Sequence, residues 1–251
     1  MTAITAPPRP YPLARLGEQT RKFAIAAGVF SMILGGYVGV SQVSAAIEEA
    51  SAVLPDGAAP GPCTLWFVGS STMYRWTTLN ADMAPWDVRR RGVNGAMLPQ
   101  IIRRFNNDPA GRPPAGIVVY AGENDIADGA TGVDAFANFQ AFMDAKTQRY
   151  GGLPVIAISL KPSPGRWDQR GEQTVFNEAL RRYAASRRDL SFVDMRPLLL
   201  VNGQPGPFYA SDGIHINQQG YRRWSRMLHV ALARMLPRGV VSRCHADGPS
   251  T

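Results

Sequence analysis

Two cysteines and three histidines are all the thiol and imidazole ligands that 251 residues offer. Two lone cysteines cannot build a structural zinc site, which draws four ligands mainly from Cys and His. No internal repeat is visible. Acidic residues are also in deficit, 19 against 27 basic ones, and the resulting net charge of +8 is almost entirely arginine. Those arginines lie scattered in pairs (Arg103-Arg104, Arg181-Arg182, Arg187-Arg188, Arg222-Arg223). They neither gather into one stripe nor alternate with stacking aromatics, as a nucleic-acid surface requires, so a nucleic-acid partner is not expected. Most read as solvated helix faces, with room for a mild attraction to anionic lipid or polysaccharide. What remains is ordinary: 45% apolar residues, enough for one good-sized globular domain.

The N-terminal quarter departs from that picture. Residues 23–40 are an uncharged, mostly apolar run, preceded by Arg9, Arg15, Arg21 and Lys22. Eighteen residues of helix just span the ~30 Å hydrocarbon core, and the basic flank keeps the N-terminus cytoplasmic while the rest is exported. Val43-Ser44-Ala45 has the small residues of a signal-peptidase site, so cleavage near Ala45 with secretion is the competing reading. The expected organisation is a basic cytoplasmic tail at 1–22, a transmembrane anchor or uncleaved signal at 23–42, a Pro/Gly linker at 43–62, one domain at 63–246 and a tail at 247–251. Cys63 and Cys244 stand near the two ends of that domain. Either they pair in an oxidising compartment, closing a loop of roughly 180 residues worth about 5 kcal/mol, or they remain two separate thiols.

From Cys63 onward, short apolar runs alternate with helical patterns. The candidate strands are Thr64–Gly69, Val88–Gly92, Gly116–Ala121, Pro154–Leu160 and Ser191–Val193. Phe136, Phe139, Phe142 and Met143 recur at helical spacing, as do Val175, Phe176, Leu180 and Tyr183, and later Trp224, Met227, Leu228, Ala231, Met235 and Leu236. These stripes are core, not a cofactor box, and no cofactor is expected. Strands separated by helix-length crossovers predict an α/β class fold, three layers around a parallel sheet.

Four polar, glycine-containing segments punctuate this pattern: Gly69-Ser70-Ser71, Gly92-Val93-Asn94-Gly95, Gly122-Glu123-Asn124-Asp125 and Asp212-Gly213-Ile214-His215. The first three fall at the carboxyl ends of strands, where doubly wound sheets bind ligands. Each has a plain structural reading: Asn94-Gly95 is a turn signal, and Asn124, Asp125 or Asp212 suits a helix cap. Together they suit acyl transfer. A serine hydroxyl needs a base. His215 supplies one, and Asp212, three residues earlier, can reach back to its Nδ1–H. The backbone N–H groups of Ser71 and Gly95 and the Asn124 amide are candidate oxyanion donors.

These residues resemble the four blocks of the SGNH hydrolases, the superfamily of the GDSL lipases and esterases, across about Thr64 to Leu236. Ser71, Gly95, Asn124 and His215 match the four family letters. Tyr120–Ala127 is similar to the third block and Asp212–Asn217 to the fifth. The stretch Ser159–Trp167, with Lys161-Pro162-Ser163-Pro164 and Arg166-Trp167, resembles a bacterial branch that opens on Gly-Ser-Ser. The resemblance implies a flavodoxin-like α/β/α sandwich with a central five-stranded parallel sheet and a metal-free serine esterase mechanism. Two positions depart from the pattern: Ser70 stands where an aspartate is usual, making it the second candidate nucleophile, and Ala96 replaces a frequently polar residue. Met73, Trp76, Phe208 and Tyr209 either line a substrate pocket or pack the fold. With no lid-length apolar insertion in view, the resulting expectation is an exported esterase for short-chain acyl esters such as O-acetyl groups on an envelope glycan, held at the bacterial inner membrane with its catalytic domain on the periplasmic side. The alternatives are an O-acyltransferase using the same site and a non-catalytic glycan-binding module.

Overall fold

A computed structural model describes residues 60–108 and 111–246. They belong to the second of two compact units, Leu54–Thr251; the first, Met1–Val53, lies outside the described residues. The expected tail at 1–22, the anchor at 23–42, nearly all of the linker and the tail at 247–251 are therefore outside them as well. Among the described residues no helix is long and apolar enough to cross a membrane.

The chain runs β1 (Thr64–Gly69), α1 (Ser71–Tyr74), α2 (Leu79–Asp82), β2 (Asp87–Gly92), α3 (Leu98–Asn107), β3 (Gly116–Tyr120), α4 (Glu123–Ala127), α5 (Gly132–Tyr150) and β4 (Val155–Ile158). A 3₁₀ turn (Pro164–Gln169) follows, then α6 (Arg170–Ala185), β5 (Leu190–Val193), α7 (Arg196–Leu199), β6 (Leu200–Val201), β7 (Gln204–Pro205), α8 (Gln218–Met235) and α9 (Arg238–Ala246). Strands β1 to β5 form one parallel sheet in the order β2-β1-β3-β4-β5. This is the three-layer α/β/α architecture. The two-residue strands β6 and β7 add a small antiparallel hairpin that the periodicity does not predict.

The order of strands follows from their composition. Strands β1 and β3 are buried at every position, as parallel strands covered on both faces must be. By contrast β2 carries Arg89, Arg90 and Arg91, a charged sequence suited to an edge. The guanidinium of Arg91 lies 3.6 Å from the centroid of the Trp66 ring and pairs with Asp108. Desolvation lowers its pKa to about 10. The chain leaves β1 toward β2 and returns to β3 on the other side, so the switch point, and with it the crevice, falls at the carboxyl ends of β1 and β3.

Helix α5 contacts α3 and α6, and α8 contacts α2, α7 and α9. An aromatic cluster fills the space under α8. The Trp76 ring stacks on Tyr221 at 4.8 Å between centroids and meets Phe67 and Trp224 edge-on. Its indole N–H donates to Asp82, so the one polar atom of the ring is satisfied.

A disulfide and a buried ion pair tie distant parts of the domain together. Cys63, just before β1, is disulfide-bonded to Cys244 in α9, 181 positions later. Lys146 of α5 has a fully buried side chain, and its ammonium donates to Asp189 Oδ2 at 2.6 Å and to the Gly151 carbonyl at 2.9 Å. Hydrogen bonds from Arg187 and then Lys146 outweigh burial and hold the Asp189 carboxyl at about 2.

Replacing both Cys63 and Cys244 by serine is expected to lower unfolding stability by about 5 kcal/mol, the loop-entropy value for this separation, read as a fall in the urea midpoint. The folded Asp189 pKa lies below the ordinary carboxylate value of ~4. Its contribution is therefore fully present above ~pH 4 and is lost as pH falls through about 2. An Asp189→Asn variant should be less stable at neutral pH and should show a flatter pH–stability curve across that acidic window, measured by thermal melts.

Candidate active site

The nucleophile candidate stands where β1 ends. Gly69 adopts φ +153°, and a Cβ there would fall 2.0 Å from the Tyr120 carbonyl oxygen, so only glycine lets the two strand ends close up. Ser70 N–H donates to that same carbonyl at 3.2 Å. The chain then turns into α1, which leaves Ser70 buried and Ser71 at the first helical position, 8% exposed.

Ser71 Oγ lies 2.8 Å from His215 Nε2, and His215 Nδ1 lies 2.7 Å from Asp212 Oδ2. Of the two serines, Ser71 is the one the ring meets. Asp212 Oδ1 accepts the backbone N–H groups of Ile214 and His215, both at 2.9 Å. Burial alone pushes the Asp212 carboxyl up. The ring and backbone hydrogen bonds from His215 and the backbone bond from Ile214 outweigh it, holding the group well below the usual carboxylate range. The carboxylate thus favours the tautomer with hydrogen on Nδ1, which leaves Nε2 free to accept from Ser71. Arg75 Nη1 stands 3.6 Å from Asp212 Oδ2, with both side chains partly exposed.

The loop that carries Asp212 and His215 is closed on itself. Tyr209 and Ile216 form an antiparallel bridge, and Ala210 N–H donates to the His215 carbonyl at 2.7 Å. Asn217 fastens both sides: its amide donates to the Pro207 and Tyr209 carbonyls, and its Oδ1 caps α8 by accepting Gly220 N–H at 3.0 Å. Gly165 N–H donates to the Gly213 carbonyl at 2.8 Å, joining this loop to the segment after β4.

Gly95 takes φ +73° in the loop after β2, a left-handed conformation with open space around it. Its position is set from outside. Asp125 Oδ2 accepts the Leu98 N–H at 3.0 Å, satisfying one of the unpaired donors at the start of α3, while Oδ1 accepts from Asn138 at 3.1 Å. Burial raises the Asp125 carboxyl, and these bonds oppose the rise. Asn124 Nδ2 donates to the Ala96 carbonyl at 3.0 Å, so the departure at Ala96 leaves the loop anchored through its backbone. Asn124 Oδ1 accepts from Arg166 Nη1 at 3.0 Å.

Below Asn124 lies a charged cluster. Glu123 Oε2 accepts from the Tyr120 hydroxyl and from Lys161 Nζ, both at 2.5 Å, with Lys161 and Tyr120 at zero exposure and Glu123 at 2%. Burial first, and then Glu123, pushes the Tyr120 hydroxyl up; burial pulls the Lys161 ammonium down while Glu123 holds it up.

The structure therefore brings Ser71, His215 and Asp212 into one hydrogen-bonded chain and ties Asn124 to the loop that carries Gly95. Three residues suggested for a substrate pocket belong elsewhere. Met73 and Trp76 have zero exposure and Phe208 has 4%; Trp76 packs into the aromatic cluster and Phe208 lies under the Arg223 guanidinium, 4.1 Å from its ring centroid. Met73 and Trp76 face the core because α1 is a single turn lying against β1 and β2. Tyr209 is partly exposed, and its hydroxyl donates to the Pro162 carbonyl at 2.6 Å. The supporting roles of Arg166, Glu123, Lys161, Asp125 and Asn217 were not read from the sequence. The signal available was Lys161 itself, a lysine between a strand and two prolines in a chain with three lysines in all. Among the described residues, no group of three His, Cys, Asp or Glu side chains gathers as a metal site.

Comparison with known proteins bears on this geometry. The GDSL-like Lipase/Acylhydrolase family matches residues 60–223. Similar solved structures include a protein from Streptococcus pneumonia provisionally described as a platelet activating factor, with a TM-score of 0.67 at 18% identity, covering 82% of this chain and 99% of that one. A GDSL-like lipase from Bacteroides thetaiotaomicron aligns with a TM-score of 0.60 at 22% identity, over 76% and 96% of the two chains. A carbohydrate esterase family 3 protein from Talaromyces cellulolyticus gives 0.54 at 14% identity, over 68% and 97%. At these identities the likeness is one of fold. No curated protein matches the sequence. Because the family match runs from the start of the sheet into α8 on this fold, the chain belongs to the GDSL-like lipase/acylhydrolases of the SGNH superfamily, a family of ester hydrolases.

Proposed function

We propose that this protein is an exported serine esterase acting on short-chain acyl esters, with Ser71 as nucleophile, His215 as base and Asp212 as the group that orients it. The observation that carries this reading is the chain Ser71 Oγ to His215 Nε2 at 2.8 Å and His215 Nδ1 to Asp212 Oδ2 at 2.7 Å. Ser71 Oγ attacks the ester carbonyl carbon as its proton passes to Nε2. Asp212, charged well below the usual carboxylate range, stabilises the imidazolium. The carbonyl oxygen gains a full negative charge and is met by Ser71 N–H, Gly95 N–H and the second N–H of Asn124 Nδ2, whose first N–H is on Ala96. His215 returns the proton to the leaving alcohol. Water repeats the sequence on the acyl-serine and releases the acid.

Short acyl groups suit the packing, since Met73, Trp76 and Phe208 are consumed by the core and offer no long apolar channel. An O-acetyl group on an envelope glycan is the substrate class we favour. Export draws support from the Cys63–Cys244 bond, which persists in an oxidising compartment, and from the apolar run at 23–40 behind its basic flank. The proposed location is the bacterial inner membrane, with the domain on the periplasmic side.

The test is hydrolysis of p-nitrophenyl acetate and longer acyl homologues. Turnover should fall with chain length, and Ser71→Ala should lower kcat by about 10⁴-fold or more. Asp212→Asn should cost about 10⁴-fold at neutral pH, where the wild-type Asp212 is ionised. Activity surviving Ser71→Ala would remove Ser71 as the nucleophile.

A further inference from the structure

The mechanism above makes no use of the most deeply buried charges near the site. Lys161, Glu123 and Arg166 put two cations against one carboxylate directly beneath Asn124. Glu123 Oε2 is taken by Tyr120 and Lys161, and Glu123 Oε1 makes no hydrogen bond, facing Arg166 Nη1 at 3.5 Å. Burying an ammonium and a carboxylate together costs desolvation free energy that a neutral, well-packed core would not incur. The cluster thus holds a cation at a fixed place, and that place adjoins the proposed oxyanion donor.

We propose that Arg166 is a positioning residue for the oxyanion hole: it holds and polarises the Asn124 amide, and the buried Lys161–Glu123–Tyr120 cluster seats it. This rests on the reading of Asn124 as an oxyanion donor. Arg166 Nη1 donates to Asn124 Oδ1 at 3.0 Å and to the Glu123 carbonyl at 3.3 Å. With Oδ1 held by Arg166 and one N–H held by the Ala96 carbonyl, the amide has a single orientation, and its remaining N–H is directed by those two bonds. A charge-assisted bond at the amide oxygen draws electron density from the nitrogen and strengthens that N–H as a donor. The gain grows with the negative charge on the acceptor, so it is larger for the tetrahedral oxyanion than for the ground-state ester.

The backbone around Arg166 is built for a fixed aim. Pro162 and Pro164 restrict the approach, Arg166 N–H donates to the Ser163 carbonyl at 3.2 Å, and Tyr209 grips Pro162 from the His215 loop. A Cβ at Gly165 would meet Ile214 Cγ1 at 2.8 Å, so the segment lies against the Asp212–His215 loop while Arg166 reaches Asn124. One short stretch therefore touches both halves of the proposed machinery.

The experiment is a double-mutant cycle in the full chain, with kcat and KM for p-nitrophenyl acetate and a thermal melt for each variant. Arg166→Met should lower kcat by about 10- to 100-fold, less than the ~10²–10³ of a lost oxyanion donor, with KM little changed. In an Asn124→Ala background the same substitution should cost less than about 3-fold, whereas independent residues would show the full loss again. Arg166→Lys, which keeps the charge but loses the planar fork, should fall between wild type and Arg166→Met. Losses that multiply in the double variant, or a change confined to KM, would overturn the role given to Arg166 while leaving Asn124 in place. Full activity in Asn124→Ala would instead overturn the oxyanion reading of Asn124, and this inference with it. If Arg166→Met fails to fold, the Arg166→Lys cycle against Asn124→Ala decides the matter by the same criterion.

Discussion

The closeness of β1 and β3 at their carboxyl ends governs everything built above them. Ser70 N–H on the Tyr120 carbonyl is the last rung between these strands, and it forms only because Gly69 has no Cβ to strike that oxygen. From this rung Ser71 is one residue away on one strand and Asn124 four residues away on the other. The two sides of the crevice are thus held in a common register by backbone, which is stiffer than any side-chain contact. Larger residues at Gly69 would have to spread the central pair of the sheet, where every position of both strands is buried.

The third component, the Asp212–His215 loop, arrives from the far end of the chain and has no strand to fix it. Its rigidity is assembled from polar contacts: the Tyr209–Ile216 bridge, the Asn217 amide across the neck of the loop, and the Gly165–Gly213 bond to the segment after β4. These are local and close to solvent, each worth about 1 kcal/mol. The opposite strategy operates beneath Asn124, where few bonds are used but all are buried and charged. Removing one member of the Lys161–Glu123 pair would strand the other, a loss of about 3–5 kcal/mol. The crevice is therefore stiff on its Asn124 side and more easily deformed on its His215 side.

Much of this was legible in the sequence, for definite reasons. Apolar runs announced β1, β3 and β4, buried at every position, because strands covered on both faces leave a continuous hydrophobic signature, which the arginine-rich β2 lacks. Phe139, Phe142, Phe176 and Leu228 announced their helices because their burial follows the helical period. Ser71 and Asn124 stood out because polar residues gather in loops at strand ends, and Asp212 and His215 because a carboxylate and one of three histidines stand three residues apart. The side on which a residue faces was not legible. Met73 and Trp76 follow within five residues of Ser71, yet Trp76 is claimed by Tyr221 and Trp224, residues about 150 positions later that no local pattern reveals. Asp125 has the form of a cap for its own helix and instead caps α3 through Leu98. Arg166 was one arginine among many until its partners were known, since a charge acquires a role from what it faces and not from its neighbours in the chain.

The bond between Cys63 and Cys244 converts the domain from a line into a loop. Its first strand and its last helix are fastened at one point, and every catalytic candidate, from Ser71 to His215, lies between the two sulfurs. The polypeptide that carries the site is in effect a covalent ring. A single cut by a protease in any surface connection opens that ring without dividing it, so the pieces stay together at a local concentration that no intermolecular association would match. Repair needs no search for the lost fragment, and the sheet can close again around its own register. Damage of this kind is a nick rather than a loss.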